Sequence, residues 1–205
     1  MKIILSRKGF DSANGGIVSP IFEDGTMVSF PIPSGDTDTY DSLCYNGIPY
    51  SKILHDLRYK GGNHCHVDPD LDLSRRAKEI DGWFPAFGQR DAAASYLKNL
   101  GVAPGDIFLF FGNFHFVECK NGEYKYSRDR SDFYRGKDLQ VIWGYLQVGK
   151  IISAPEKQKK RGGTPIQPMS GQAAQRMLYS RHLRDFLWIS PSPERVCCPL
   201  TKSAC

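Results

Sequence analysis

Two histidines, one cysteine and three aspartates lie within ten positions of the chain, at residues 63–72, which read NHCHVDPDLD. No other window holds as many groups that can ligate a metal or move a proton. Pro69 disfavours the α conformation at the residue before it, so a loop is predicted here rather than a helix. Side chains that carry chemistry often lie on loops held by a rigid scaffold. A purely structural Asp-rich turn is the alternative, because Asp and Pro both favour turns.

The chemistry that residues 63–72 predict first is proton transfer. His66 beside a carboxylate would titrate near neutral pH and could relay protons. The candidate catalytic residues are therefore Asp11, His66, Asp68 and Asp70, with Asp11 supplied by a separate loop. An alternative in which these side chains only tie loops together by hydrogen bonds stays open.

A metal site is the second chemistry open to this segment. His64 and His66 would face the same side of an extended strand. Asp68 or Asp70 would complete the set of two histidines and one carboxylate that suits iron. Asp-Pro-Asp is also a common surface turn, so we assign no metal ligand and leave the cofactor undefined.

A second loop, at residues 6–16, offers groups that bind phosphate. It reads SRKGFDSANGG and follows a short apolar run that is predicted to be a strand. Its backbone N–H groups, with the cations of Arg7 and Lys8, could face a phosphate. No GxxxxGK[ST] motif is present, and an ordinary basic loop is the alternative. Ser6, Arg7 and Lys8 are candidate nucleotide-binding residues.

Aromatic side chains that follow the His/Asp segment could recognise a base. An aromatic ring can stack on a base while an amide reads the edge of that base. Trp83 and Gln89 therefore join the candidate nucleotide-binding residues, with Phe84 and Phe87 beside them. Packing into the core is the alternative for the aromatic rings.

Two long apolar strands are predicted to form the scaffold. Residues 107–117 read IFLFFGNFHFV and begin apolar on both faces, which is typical of a central strand. Residues 140–152 should pair with them, and Gly144 allows a bulge there. The side chains of this second strand that are expected to face inward are Ile142, Leu146 and Val148.

Two helices are predicted to flank these strands. Apolar residues recur at helical spacing in residues 49–59 and in residues 88–100. In the second segment the expected apolar stripe consists of Ala93, Tyr96, Leu97 and Leu100.

Composition and charge limit the class of protein. The 205 residues suit one domain with an appendage, and 40% hydrophobic residues are enough for a core. No apolar run approaches the ~18 residues of a membrane helix. The first residues are also less apolar than a signal peptide, so we expect a cytoplasmic protein with no membrane partner.

The net positive charge of the chain comes from its last fifty residues. Residues 1–155 carry 18 basic and 19 acidic side chains, a net −1, and residues 156–205 carry 9 and 3, a net +6; together these give the +5 of the chain. We predict a domain at residues 1–155 and a basic, low-order tail at residues 156–205. Two interpretations of the tail stay open: out-of-frame translation at residues 185–204, or a native disordered segment.

Five motifs together resemble the third of the nucleotide modification associated domain families: residues 6–16, CHVDPDLD at 65–72, GWFPAFGQRDAAASYLKNLGV at 82–102, GDIFLFFGNF at 105–114 and VIWGYLQVGKII at 141–152. The resemblance implies a bacterial or phage protein that works with DNA base-modification enzymes on a nucleotide or a DNA base. It includes His66 but not His64. A His-Pro-His element of the family pattern is lacking after Ile152, which leaves an inactive, truncated remnant as a further interpretation.

A weaker resemblance concerns the architecture. A Gly-Asp turn that enters an aromatic strand, followed by GYLQVG, is similar to the PUA/EVE type of β-barrel, whose members bind modified or flipped bases. The expected fold is therefore α+β, with a mainly antiparallel sheet or a PUA/EVE-like barrel and a few flanking helices. A catalyst requires residues 6–16 and the His66 loop to converge within hydrogen-bond reach. A non-catalytic module for modified bases requires an aromatic cleft without that convergence.

Overall fold

The computed structural model describes residues 1–153 and 186–191. Most of the predicted tail lies outside these residues. The helices of the described part are α1 (Tyr50–Asp56) and α2 (Asp91–Asn99), with 3₁₀ turns at Tyr40–Ser42 and Leu73–Arg75. The strands are β1 (Ile3–Arg7), β2 (Ser19–Ile21), β3 (Ile32–Pro33), β4 (Cys44–Tyr45), β5 (Ile48–Pro49), β6 (Cys65–His66), β7 (Phe87–Arg90), β8 (Ile107–Lys120), β9 (Glu123–Tyr126), β10 (Leu139–Ser153) and β11 (Phe186–Pro191).

Strand β8 is the centre of a seven-stranded sheet with the order β1-β8-β10-β11-β7, in which β2 and β9 also pair with β8. The predicted pairing of the two long strands is confirmed, because β10 runs antiparallel to β8 with Leu139 opposite Phe114 and Gln147 opposite Ile107. Strand β8 is apolar on both faces at its start because it lies between β1 and β10 there.

The sheet is mixed, so the expectation of a mainly antiparallel sheet is wrong, while the α+β class is confirmed. Strands β1 and β2 both run parallel to β8. Parallel pairing needs a long connection, and most of the chain before residue 107 supplies it. The end strands β1 and β7 do not pair with each other, so the described strands do not close into a PUA/EVE-like barrel.

The predicted inward face of β10 is wrong at Ile142, because the strand contains a bulge. The register with β8 shifts between Ile142 and Gly144, which makes Trp143 the extra residue. Alternation predicts that Ile142 faces inward, but its side chain is 50% exposed. Leu146 and Val148, which lie beyond the bulge, are buried as predicted.

Both predicted helices form, but α2 packs through a different face. It begins at Asp91 because the preceding residues form β7. Of the predicted stripe only Leu97 is buried, whereas Ala93, Tyr96 and Leu100 are exposed, and Ala94 packs inward instead. Within the described residues, no helix combines the length and the apolar character that a membrane span requires.

Two clusters of buried side chains stabilise these elements. One lies under α1 and is rich in aromatic rings, including those of Phe10, Phe30, Tyr40 and Tyr50, and it also contains Ile53. The other lies between the sheet and α2 and contains Phe87, Ala94, Leu97, Phe108, Phe110, Leu146 and Val148. The candidate loops at residues 6–16 and 63–72 contribute Phe10 and Cys65 to the first cluster, so packing holds both of them in place.

Candidate functional site

The loops at residues 6–16 and 63–72 converge within hydrogen-bond reach. Lys8 Nζ donates to Asp68 Oδ2 at 2.8 Å. The other oxygen, Asp68 Oδ1, accepts the backbone N–H of Gly88 in β7 at 2.6 Å. Only 16% of the Lys8 side chain and 6% of the Asp68 side chain are exposed. Asp68 thus joins three separate parts of the chain through one carboxylate.

Lys8 is held on three sides. Its backbone N–H donates to the Phe111 carbonyl at 2.8 Å, just beyond the end of β1. Its ammonium group lies 4.6 Å from the centre of the Phe87 ring, at a distance suited to a cation–π contact. An ammonium has three N–H donors, and Asp68 accepts one of them. Lys8 therefore retains donor capacity for an oxygen of a bound molecule.

Asp70 belongs to a second network, centred on Arg76. Asp70 Oδ2 accepts hydrogen bonds from the Arg76 guanidinium and, at 3.1 Å, from Trp83 Nε1. Arg76 Nη1 donates to Asp38 Oδ1 at 2.9 Å, and only 4% of the Arg76 side chain is exposed. Burial disfavours the Arg76 charge, but Asp70 and Asp38 outweigh it and raise the pKa of Arg76. This network fixes the loop and restrains the indole that was a candidate for base stacking.

Asp11 contacts its own loop. Asp11 Oδ1 accepts the backbone N–H groups of Ala13 and Asn14 at 2.9 and 2.7 Å. Arg7 Nη2 lies 3.4 Å from Asp11 Oδ2. Burial disfavours the carboxylate, but these hydrogen bonds and the Arg7 charge outweigh it and lower the pKa of Asp11. Asp11 is therefore ionised at neutral pH and shapes the loop at residues 6–16.

His66 contacts Asp36, a residue that the sequence did not single out. His66 Nδ1 lies 2.6 Å from Asp36 Oδ2, with 40% of the His66 side chain exposed. The pairing of β6 with β3 brings the two residues together. His64 Nδ1 lies 2.8 Å from the Asp36 carbonyl. In the described part of the chain, no three His, Cys, Asp or Glu side chains are grouped so that they could hold a metal ion.

The remaining candidates lie at the edges of these networks. Ser6 is half-buried in β1 opposite Phe110, and Gln89 is half-buried in β7. Half of the Arg7 side chain is exposed. Phe87 is fully buried in the core, so it is not free to stack on a base.

A pocket of about 80 Å³ lies beside the Asp70 network. One water needs roughly 10–15 Å³, so several water-sized groups fit. Three segments enclose it, at residues 27–31, 67–72 and 143–144, and the side chains that line it are mostly apolar: Met27, Val28, Pro31, Leu43, Val67, Pro69, Leu71 and Trp143, with Asp70, Asp72 and Arg75 as charged members.

Trp143 is another residue that the sequence did not single out. It lies at the bulge of β10, lines the pocket and packs against Phe110 with ring centres 5.8 Å apart. Its Nε1 is buried and has no hydrogen-bond partner among the described residues. Gly144 beside it lies so close to Leu71 that an added Cβ would be 3.2 Å from that side chain. The only sequence signal was the glycine within an apolar strand.

The sequence model of the nucleotide modification associated domain 3 family, Nmad3, matches residues 2–185 of the chain. The chain belongs to the Nmad3 family. This confirms the resemblance that the five motifs indicate, and the match extends beyond Ile152, where the last of those motifs ends. No curated protein and no solved structure matches the chain. Nmad3 membership gives the chain a role associated, in general terms, with nucleotide modification.

Proposed function

We propose that this Nmad3 protein binds a nucleotide or a DNA base in the cleft between residues 6–16 and residues 63–72, and that it acts there in base modification. The observation that carries the proposal is the 2.8 Å contact between Lys8 Nζ and Asp68 Oδ2. It places a cation from the predicted phosphate loop against a carboxylate from the predicted catalytic loop. A pocket formed partly by Pro69 and Asp70 adjoins the pair along the chain.

The burial of this pair supports a functional role. Removing two charges from water costs several kcal/mol, which their attraction offsets only in part, so such a pair contributes little net stability. Apolar side chains could join the two loops without this desolvation cost. A largely buried ammonium that keeps free N–H donors is, in contrast, suited to hold a phosphate or a base carbonyl oxygen.

Each candidate has a place in this proposal. Lys8 donates to the oxygen of the ligand, and Asp68 orients the ammonium. His66 is the proton-transfer group, because its ring is partly exposed and Asp36 holds its Nδ1. Asp11 and Asp70 position the two loops through their own hydrogen bonds. We assign to Ser6, Arg7, Trp83 and Gln89 the contacts with the rest of the nucleotide.

Calorimetric titration with the four deoxynucleoside monophosphates tests the proposal. We expect Lys8→Met to weaken binding at least tenfold, because a desolvated charge-assisted hydrogen bond contributes about 1.5–3 kcal/mol. Lys52→Met is the matched control, since Lys52 also pairs with a buried aspartate, Asp56, but in α1. Wild-type affinity in a folded Lys8→Met protein would refute the proposal, and Lys8→Arg serves as a second variant if Lys8→Met does not fold.

A second candidate function, non-catalytic binding of a modified base, is favoured by the Trp143 pocket. Its lining is mostly apolar, and the buried Trp143 N–H has no acceptor among the described residues, so the pocket could hold a substituted base without chemistry. Mass spectrometry of a nucleotide incubated with the protein separates the two functions. An altered mass supports catalysis, whereas an unaltered but tightly bound modified nucleotide supports the reader.

A further inference from the structure

The loop at residues 128–138, which connects β9 to β10, exposes aromatic rings among cations. It reads RDRSDFYRGKD. Phe133 is 73% exposed and Tyr134 is 58% exposed, and their rings meet edge to face with centres 5.0 Å apart. Rings of this size are normally buried, so two neighbouring exposed rings on one loop mark a candidate interaction surface.

Each carboxylate of this loop has a partner, two of them within the loop and one in β8. Asp129 Oδ1 accepts the Ser131 N–H at 2.8 Å, and Asp132 Oδ1 accepts the Tyr134 N–H at 2.7 Å. Asp138 Oδ1 lies 2.7 Å from His115 Nδ1 in β8. These contacts shape the loop and give each of its acidic groups a partner within the protein.

The cations of the loop have fewer charged partners than its carboxylates have. Arg135 Nε lies 4.0 Å from Asp132 Oδ2. Arg128, Arg130 and Lys137 are exposed, and no carboxylate of the described residues lies within 4 Å of their charged atoms. Lys137 Nζ lies 3.4 Å from the centre of the Phe133 ring. A hollow of about 230 Å³ is lined by Arg130, Asp132, Phe133, Gly136 and Lys137. Positive charge and an exposed ring therefore share one concave surface.

We propose that the loop at residues 128–138 binds single-stranded nucleic acid. Exposed rings stack on unpaired bases whatever their sequence, while lysine and arginine contact the phosphates between them. A duplex already stacks its bases internally and would leave both rings unused. A protein partner is less suited, because lysine and aspartate, which are depleted at protein interfaces, line the hollow together with Phe133.

The loop lies close along the chain to Trp143, which lines the pocket described above. Trp143 follows Asp138 by five residues on β10, about 17 Å along the strand at roughly 3.3 Å per residue. A bound strand several nucleotides long can span this distance. The inference goes beyond the proposed function, because it assigns a nucleic-acid strand to a surface outside the cleft.

Fluorescence anisotropy with end-labelled oligothymidine and oligouridine of 12 nucleotides tests the inference on the full chain. We expect both strands to bind at low salt, and the double variant Phe133→Ala/Tyr134→Ala to lose at least tenfold in affinity. In Arg130→Ala/Lys137→Ala, the slope of log affinity against log salt should become shallower by about 1.4, since each phosphate contact contributes roughly 0.7. Tyr96→Ala, which removes an exposed ring from α2, is the matched control and should bind as the wild type does.

Three results would overturn the inference: no binding of either strand at low salt, equal affinity for a duplex of the same length, or wild-type affinity in the folded aromatic double variant. A preference for oligothymidine or for oligouridine shows whether the ligand is DNA or RNA, and either preference supports the inference. Mononucleotide titration of the aromatic double variant keeps this outcome separate from that of the cleft, because these residues lie outside the cleft.

Discussion

Asp68 is the residue through which the loop at residues 63–72 contacts both the loop at residues 6–16 and β7. The sequence motif identifies Asp68 and Lys8 as candidates, but it cannot show that they touch, because 60 positions separate them. The same limit applies to His66, whose partner Asp36 lies 30 positions away in an ordinary polar loop. Residue types and turn chemistry are local properties, whereas contacts between loops depend on the strand pairing of the whole sheet.

Breaking the ion pair from one side should destabilise the fold. Asp68→Ala leaves the Lys8 ammonium buried without a counter-charge, so we expect a loss of about 3–5 kcal/mol in the free energy of unfolding. Urea denaturation measures this change. The double variant Lys8→Met/Asp68→Ala should lose less than the sum of the two single variants, because it leaves no unpaired charge. Strict additivity would show that the two side chains are not coupled.

Asp56 should make stability depend on pH. Burial disfavours its carboxylate, but hydrogen bonds from Lys52 and from the Tyr124 N–H at 3.1 Å outweigh it and lower the pKa of Asp56. A pKa that is lower in the folded state gives stability that is present above the unfolded pKa, about 3.9, and is lost as the pH falls through the folded value. Asp56→Asn should therefore cost about 1–3 kcal/mol at pH 7.

Urea denaturation of the wild type and Asp56→Asn at pH 7 and at about pH 3 checks this dependence. The difference between the two proteins should shrink at the lower pH, because the Asp56 carboxylate of the unfolded wild-type chain takes up a proton there and favours unfolding. A difference that stays constant between the two pH values would contradict the assigned direction of the pKa shift.

At the scale of elements, long apolar segments were predictable and short irregular ones were not. Strands β8 and β10 follow from continuous apolar runs, and α1 follows from its apolar spacing. The bulge at Trp143 reverses the facing of Ile142, and alternation alone cannot reveal one extra residue. The parallel direction of β1 is set by the connections of the sheet, which leave no trace in the five residues of that strand.

At Gly112 the sheet has no room for a side chain. A Cβ on this residue of β8 would lie 2.5 Å from the Lys8 carbonyl oxygen, so β1 and its following loop would have to move. We expect Gly112→Ala to cost about 1–3 kcal/mol of stability and to weaken nucleotide binding, because it displaces Lys8. Thermal unfolding and titration measure the two effects. Gly62→Ala is the control, because no atom lies within 4 Å of its added Cβ and its φ is not positive.

At the scale of the whole molecule, a late segment of the chain completes the sheet. Strand β11 lies between β10 and β7 and pairs antiparallel with both. A protein ending at Ser153 would expose the edges of both neighbours, and exposed edges promote association between chains. We expect this shortened protein to aggregate or to unfold at a lower temperature than the full chain. Light scattering and calorimetry check this, and an equally stable monomer would show that β11 is dispensable.

The central claim is that the cleft joined by Lys8 and Asp68 acts in nucleotide modification. Mass spectrometry of nucleosides from the DNA of the native host tests it most directly, with the gene deleted and then restored as wild type, Lys8→Met or Lys52→Met. We predict that deletion changes the nucleoside profile, that wild type and Lys52→Met restore it, and that Lys8→Met does not. An unchanged profile on deletion, or full restoration by Lys8→Met, would contradict the claim.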